Sequence, residues 1–170
     1  MDLTSFYSLM GATCFTLVGL WWTVVERHPR WKSDPQRRKL AGGTYLSFLL
    51  PGLMSTLATI APDAPLVWRI TFALTAVVGL ASTITLIRVE TGATPAGPFR
   101  RHRWLVALVY VLIFVLGVFP EVARALGSSP IQVAGVLLVL LIVLAHGLTW
   151  EFMMEPDETV PAPPPRQPGA

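Results

Sequence analysis

Pro130–Trp150 reads PIQVAGVLLVLLIVLAHGLTW, 21 residues without Asp, Glu, Lys or Arg. At ~1.5 Å rise per residue, a helix of that length covers the ~30 Å hydrocarbon core of a bilayer. Its start is written locally: Ser129 stands at the N-cap position, Pro130 at the first helical position and Gln132 where a capping box places it. A run this long with no charged face has no counterpart among the surface helices of soluble domains, so it reads as a transmembrane helix.

Four further uncharged runs precede it, Leu3–Val25, Leu40–Pro62, Ile70–Ile87 and Trp104–Pro120, of 23, 23, 18 and 17 residues. The two shortest reach only ~26 Å and need help at their ends. Arg69 and Arg88 bracket the third run and can snorkel outward to the headgroups. None of the runs alternates apolar and polar residues as a membrane barrel requires, and backbone amides in lipid must be satisfied within the segment, so all five read as helices. The expected fold is an all-α integral membrane bundle of five transmembrane helices, at about 3–25, 40–62, 66–88, 103–119 and 130–150 within a domain at 1–152. Composition agrees: 53% of the 170 residues are apolar and 14% charged, against about 25% charged in a soluble domain. Mean hydropathy is +0.58.

Between the runs the punctuation is equally local. Asp34-Pro35 starts the second long helix, which carries Gln36, Arg37, Arg38 and Lys39 in water before Leu40 enters lipid. Pro120–Gly127 reads as one or two amphipathic turns at the interface, ended by a C′ glycine. Residues 153–170 form an acidic then Pro-rich tail, with Glu155, Asp157 and Glu158 ahead of Pro161–Pro168. Such composition cannot bury a core and is expected to be disordered with polyproline character; a solvated tail is the leading reading and PxxP-type docking the minor alternative.

Lys and Arg distribution gives an orientation. Arg27, Arg30, Lys32, Arg37, Arg38 and Lys39 lie between the first and second runs, and Arg88, Arg100, Arg101 and Arg103 between the third and fourth. The opposite connections hold only Arg69 and Arg124. The N-terminus is therefore expected outside and the C-terminus in the cytoplasm, and an odd number of spans closes that parity. The first run lacks a basic leader and is followed at once by Glu26-Arg27, so it reads as an uncleaved anchor. Trp21, Trp22, Trp104 and Trp150 at inner ends, and Trp68 at the outer end, read as interfacial anchors. Eleven Arg against two Lys, with abundant Ala, Gly and Pro, points to a high-GC bacterial genome and hence a bacterial cytoplasmic membrane.

Within the runs, small and hydroxylated residues recur at i, i+4. Ser8, Ala12 and Thr16 mark one face of the first helix, Gly43, Ser47, Pro51, Ser55 and Thr59 one face of the second, and Thr71, Thr75, Gly79 and Thr83 one face of the third. Such stripes let helices approach closely. Helix packing is the leading reading of these stripes. The competing one is that hydroxyls and the backbone freed by Pro51-Gly52 line a path for a small solute or ion. The fourth run is nearly all bulky and is expected at the periphery, facing lipid, with helices one to three making the core. Gly79 should then tolerate Leu far less than Gly117.

The chemistry visible in the sequence is sparse. Cys14 is the single cysteine and lies inside the first run, so no disulfide and no Cys-based metal site follows. No phosphate-binding, hydrolase, zinc-protease or dinucleotide motif occurs, and no Asp, Glu, Lys or Arg lies deep in a run. Net charge +3 is accounted for by topology and anionic lipid, without nucleic acid. No catalytic residue, cofactor or metal is expected. His28, His102 and His146 share the inner side and are the one set that could ligate a metal or haem, with only Glu26 and Glu151 near them in sequence. The leading expectation is a non-enzymatic accessory or assembly subunit whose partners are the lipid bilayer and either itself or another membrane protein. An oligomeric permease or channel is the alternative, and a membrane enzyme or metal or haem binder the distant one.

Overall fold

The computed structural model describes residues 2–60, 64–89, 101–125 and 127–154. All elements among them are helices: α1 (Leu3–Arg27), α2 (Pro29–Ser33), α3 (Pro35–Ile60), α4 (Pro65–Val89), α5 (Trp104–Val118), α6 (Glu121–Ala125) and α7 (Pro130–Met153). Four of them, α1, α3, α4 and α7, are long and apolar enough to cross a membrane, while α5 is a shorter apolar helix of 15 residues. The acidic and proline-rich residues from 155 onward lie outside the described residues, as do Asp63 and Arg100.

Capping explains most of the boundaries. Asp2 accepts a hydrogen bond from the Ser5 amide at 2.6 Å and so starts α1. That bond to the charged form holds the Asp2 carboxyl below the usual carboxylate range. Asp34 accepts from the Gln36 amide at 2.8 Å at the head of α3. Gly127, at φ +71°, closes α6: its amide donates to Arg124 and the Ser128 amide to Ala123, a Schellman ending. At Ser129 the cap is made by backbone alone. Its carbonyl accepts from Gln132 and Val133, and the side chain makes no capping bond.

α3 is the centre of the bundle, packing on α1, α4 and α7, and α5 closes the far side against α4 and α7. The fourth run lies at the edge of the bundle, as expected, but one of its faces is part of the core, which is not confined to the first three long helices. Val106, Val109, Tyr110, Ile113 and Leu116 of α5 join the main core with Phe72 and Ala76 of α4 and Ala134, Leu138 and Leu141 of α7. The reason is complementary size: Tyr110 fills the space left by Gly79, where a Cβ would collide with its ring. Further along the same pair, a Cβ on Gly117 would lie 3.0 Å from the Arg69 carbonyl oxygen and 3.2 Å from the Ala73 amide nitrogen. Both glycines therefore belong to one helix crossing.

The stripe expected to pack α1 is also displaced. Ser8, Ala12 and Thr16 are exposed, and the buried face is Tyr7, Gly11, Cys14, Val18 and Trp21. That face wins because it offers the closest approach and satisfied polar tips. A Cβ on Gly11 would lie 3.1 Å from the Thr56 hydroxyl, and one on Gly52 of α3 would lie 3.0 Å from the Cys14 Cβ. The Tyr7 hydroxyl donates to the Ile131 carbonyl at 2.6 Å and the Trp21 indole N–H to the Ala41 carbonyl at 3.0 Å. Trp21 and Trp68 are accordingly interior residues rather than anchors, whereas Trp22, Trp104 and Trp150 are exposed.

Long helices consecutive in the chain run antiparallel, so the basic segments gather at one end. Phe152 of α7 packs on Trp21 of α1 and Trp31 of α2, with ring centroids 6.2 and 4.7 Å apart. Arg103, ahead of α5, donates to the Ile87 carbonyl in the last turn of α4 at 3.2 Å. At the opposite end Arg69 does not snorkel. Its Nε and Nη2 donate to the carbonyls of Gly117 and Val118 at 3.0 and 2.9 Å, closing the end of α5.

Candidate functional site

The outer face of α1 is organised rather than merely apolar. At about 100° per residue, Ser8, Gly19, Ala12, Thr23 and Thr16 fall in that order within one sector of about 80°. All five are exposed. Phe15 and Trp22 border the sector on one side and Leu9 and Leu20 on the other, each between 44% and 62% exposed. The result is a shallow channel of small residues between two bulky ridges. The Thr16 hydroxyl donates to the Ala12 carbonyl at 2.8 Å and that of Thr23 to the Gly19 carbonyl at 3.3 Å. Both threonine hydroxyls on the channel floor are thus satisfied within α1, and a Cβ on Gly19 meets no atom within 4 Å. An i, i+4 small-residue face serves close approach of a helix, and among the described residues nothing occupies it.

The stripes on α3 and α4 face inward. Gly43, Pro51 and Ser55 are buried and Ser47 half-buried on α3; Thr75 and Gly79 are buried and Thr71 and Thr83 half-buried on α4. Their hydroxyls turn to their own helices: Ser47 to Gly43, Thr71 to Val67, Thr75 to Thr71 and Thr83 to Gly79, at 2.6 to 2.9 Å. Thr59 donates to the Thr56 carbonyl at 2.6 Å. Ser55 is fully buried, and its hydroxyl has no hydrogen-bond partner among the described residues. Pro51 withdraws the amide that the Ser47 carbonyl would otherwise accept. Near the basic end α3, α4, α5 and α7 enclose a cavity of about 70 Å³, to which Ser47, Thr44, Thr83 and Arg103 contribute. This is room for a few water-sized groups.

The three histidines are not assembled into a site. The His28 Nδ1 lies 2.8 Å from the Val24 carbonyl oxygen, and its ring stacks on Trp31 at 4.3 Å. The His146 Nδ1 lies 2.8 Å from the Ile142 carbonyl oxygen, with Phe48 edge-on at 5.4 Å. Among the described residues no three His, Cys, Asp or Glu side chains come together as a metal would require. Cys14 is buried as a free thiol.

Several residues that shape the molecule escape a reading of the runs alone. Gly11 and Gly52 set the α1/α3 crossing, and Arg69 and Arg103 close the ends of α5 and α4. The signal for the first was present, since Tyr7, Gly11, Cys14, Val18 and Trp21 recur at the alternating four- and three-residue spacing of a packed helix face. For the arginines no local signal exists, because their acceptors lie 48 and 16 residues away. Comparison with protein-family models, with characterised proteins and with solved structures found no match.

Proposed function

We propose that this chain is a five-span protein of a bacterial cytoplasmic membrane, N-terminus outside and C-terminus cytoplasmic, acting as a non-enzymatic accessory or assembly subunit. The observation that carries the reading is the unoccupied channel on α1, and its natural occupant is α1 of a second copy. A two-fold pair places the same face on both subunits, and small residues bordered by ridges are self-complementary at a close helix crossing. α5 is taken as the fifth span because Arg69 closes its last turn and Arg103 stands just ahead of its first, which keeps charge at both interfaces. Orientation follows from the gathering of basic segments at one end. A reporter fused after Ala170 should report the cytoplasm, and one inserted at Asp63 the exterior; the reverse would overturn the topology.

Energy transfer between donor- and acceptor-labelled copies in vesicles tests the association. Wild-type protein should pair, and Ala12→Leu combined with Gly19→Leu should abolish pairing while thermal stability in detergent is unchanged, because Ala12 is exposed and a Cβ on Gly19 meets no atom within 4 Å among the described residues. Pairing that survives in the folded double variant, or wild-type protein that stays monomeric, would overturn the proposal.

A further inference from the structure

Where α1 leaves and α3 enters the bundle, α1, α2 and α3 border an open groove of about 290 Å³. Its wall is aromatic and aliphatic: Trp22 and Tyr45 meet edge to face at 5.8 Å, and Val25 extends the same side. Gly42 keeps it open, since a Cβ there would meet no atom within 4 Å. The Trp21 indole N–H, which could otherwise reach into the groove, is committed to the Ala41 carbonyl. Whatever lies along the floor is therefore apolar.

The rim is the opposite in character. Lys32 and Arg38 both line the groove, both are exposed, and neither has a carboxylate partner among the described residues. Asp34, the acid between them in sequence, is already engaged by Arg37 at 3.9 Å and by the Gln36 amide. Two uncompensated cations over an apolar slot, at the depth where uncharged runs end, call for a ligand with an anionic head and a hydrocarbon body.

We infer that this groove is a binding site for an anionic phospholipid, its phosphate between Lys32 and Arg38 and an acyl chain along Trp22, Tyr45 and Val25. The proposal rests on α1 and α3 spanning the bilayer; it shares Trp22 with the ridge of the pairing face, and the groove variants at Lys32, Arg38 and Gly42 leave the small-residue channel of α1 untouched. A zwitterionic choline head would set a third cation beside the first two, so the site discriminates by head charge.

Native mass spectrometry of the full chain in mild detergent, with equal additions of dioleoylphosphatidylglycerol and dioleoylphosphatidylcholine, tests it. Retention of phosphatidylglycerol should exceed that of phosphatidylcholine by about tenfold, a preference of charge-assisted contacts. Lys32→Gln with Arg38→Gln should erase the preference, and Gly42→Leu, which fills the slot and leaves both cations, should lower retention of phosphatidylglycerol by a similar factor. Arg88→Gln, which removes an exposed cation at the same end outside the groove, should change nothing. Equal retention of the two lipids, a preference that survives the groove variants in folded protein, or displacement of bound lipid by inorganic phosphate alone would overturn the inference. So would phosphatidylglycerol binding that arises only when Glu155, Asp157 and Glu158 are neutralised, since the groove would then belong to the chain's own acidic segment.

Discussion

Gly79 and Gly117 are the residues on which the α4/α5 contact turns, and they differ in what opposes them. A side chain at Gly79 meets the buried Tyr110 ring, and one at Gly117 meets backbone of α4. Neither neighbour can withdraw cheaply, because the ring is enclosed and the backbone is held by its own helix. Gly79→Leu and Gly117→Leu should therefore both destabilise the protein by about 3 kcal/mol or more, the upper range for overpacking. Gly19→Leu, into open space, should be close to neutral. Thermal unfolding in detergent checks all three, and a mild Gly117→Leu would mean that α5 does not approach α4 this closely.

At the level of elements, α4 and α5 clamp each other: Arg69 of α4 closes the last turn of α5, and Arg103 ahead of α5 reaches the last turn of α4. Hydrogen bonds from a charged donor are worth about 1.5–3 kcal/mol, and a guanidinium makes two at once where an ammonium makes a point contact. Arg69→Gln should lower stability by about 2 kcal/mol and speed hydrogen exchange at the end of α5, with Arg69→Lys only a partial rescue. Unchanged exchange in both variants would refute the clamp. Helix starts and stops were legible beforehand because Asp34-Pro35, Ser129-Pro130 and Gly127 write them locally. Which face of a helix turns inward was much less so. Lipid and protein core are equally apolar, so the contrast that reveals a buried face in water is missing. On α1 the stripe Ser8, Ala12, Thr16 and the buried face through Gly11 and Cys14 compete with similar small residues, and only the acceptors at Ile131 and Ala41, far along the chain, decide between them. On α5 almost every residue is bulky, so the complementarity of Tyr110 to Gly79 becomes visible only once the two helices are side by side.

At the scale of the whole molecule, the described residues form five apolar helices of unequal length. α1, α3, α4 and α7 have 24 to 26 residues, whereas α5 has 15, or about 22 Å. Its outward residues Leu108, Val111, Leu112 and Phe114 are exposed, so the short flank faces the surroundings directly. With α5 as the proposed fifth span, lipids beside it would match a lower wall than lipids elsewhere around the perimeter, at a cost of a fraction of a kcal/mol per ångström of discrepancy. The protein should consequently gather short acyl chains along one side and drift toward thinner regions of a mixed membrane. Its unfolding temperature should be higher in vesicles of dimyristoleoylphosphatidylcholine than in dierucoylphosphatidylcholine, and the gap should narrow when α5 is lengthened by a turn of Leu and Ala after Val111. A gap of the same size in the lengthened protein would place the dependence on some other helix.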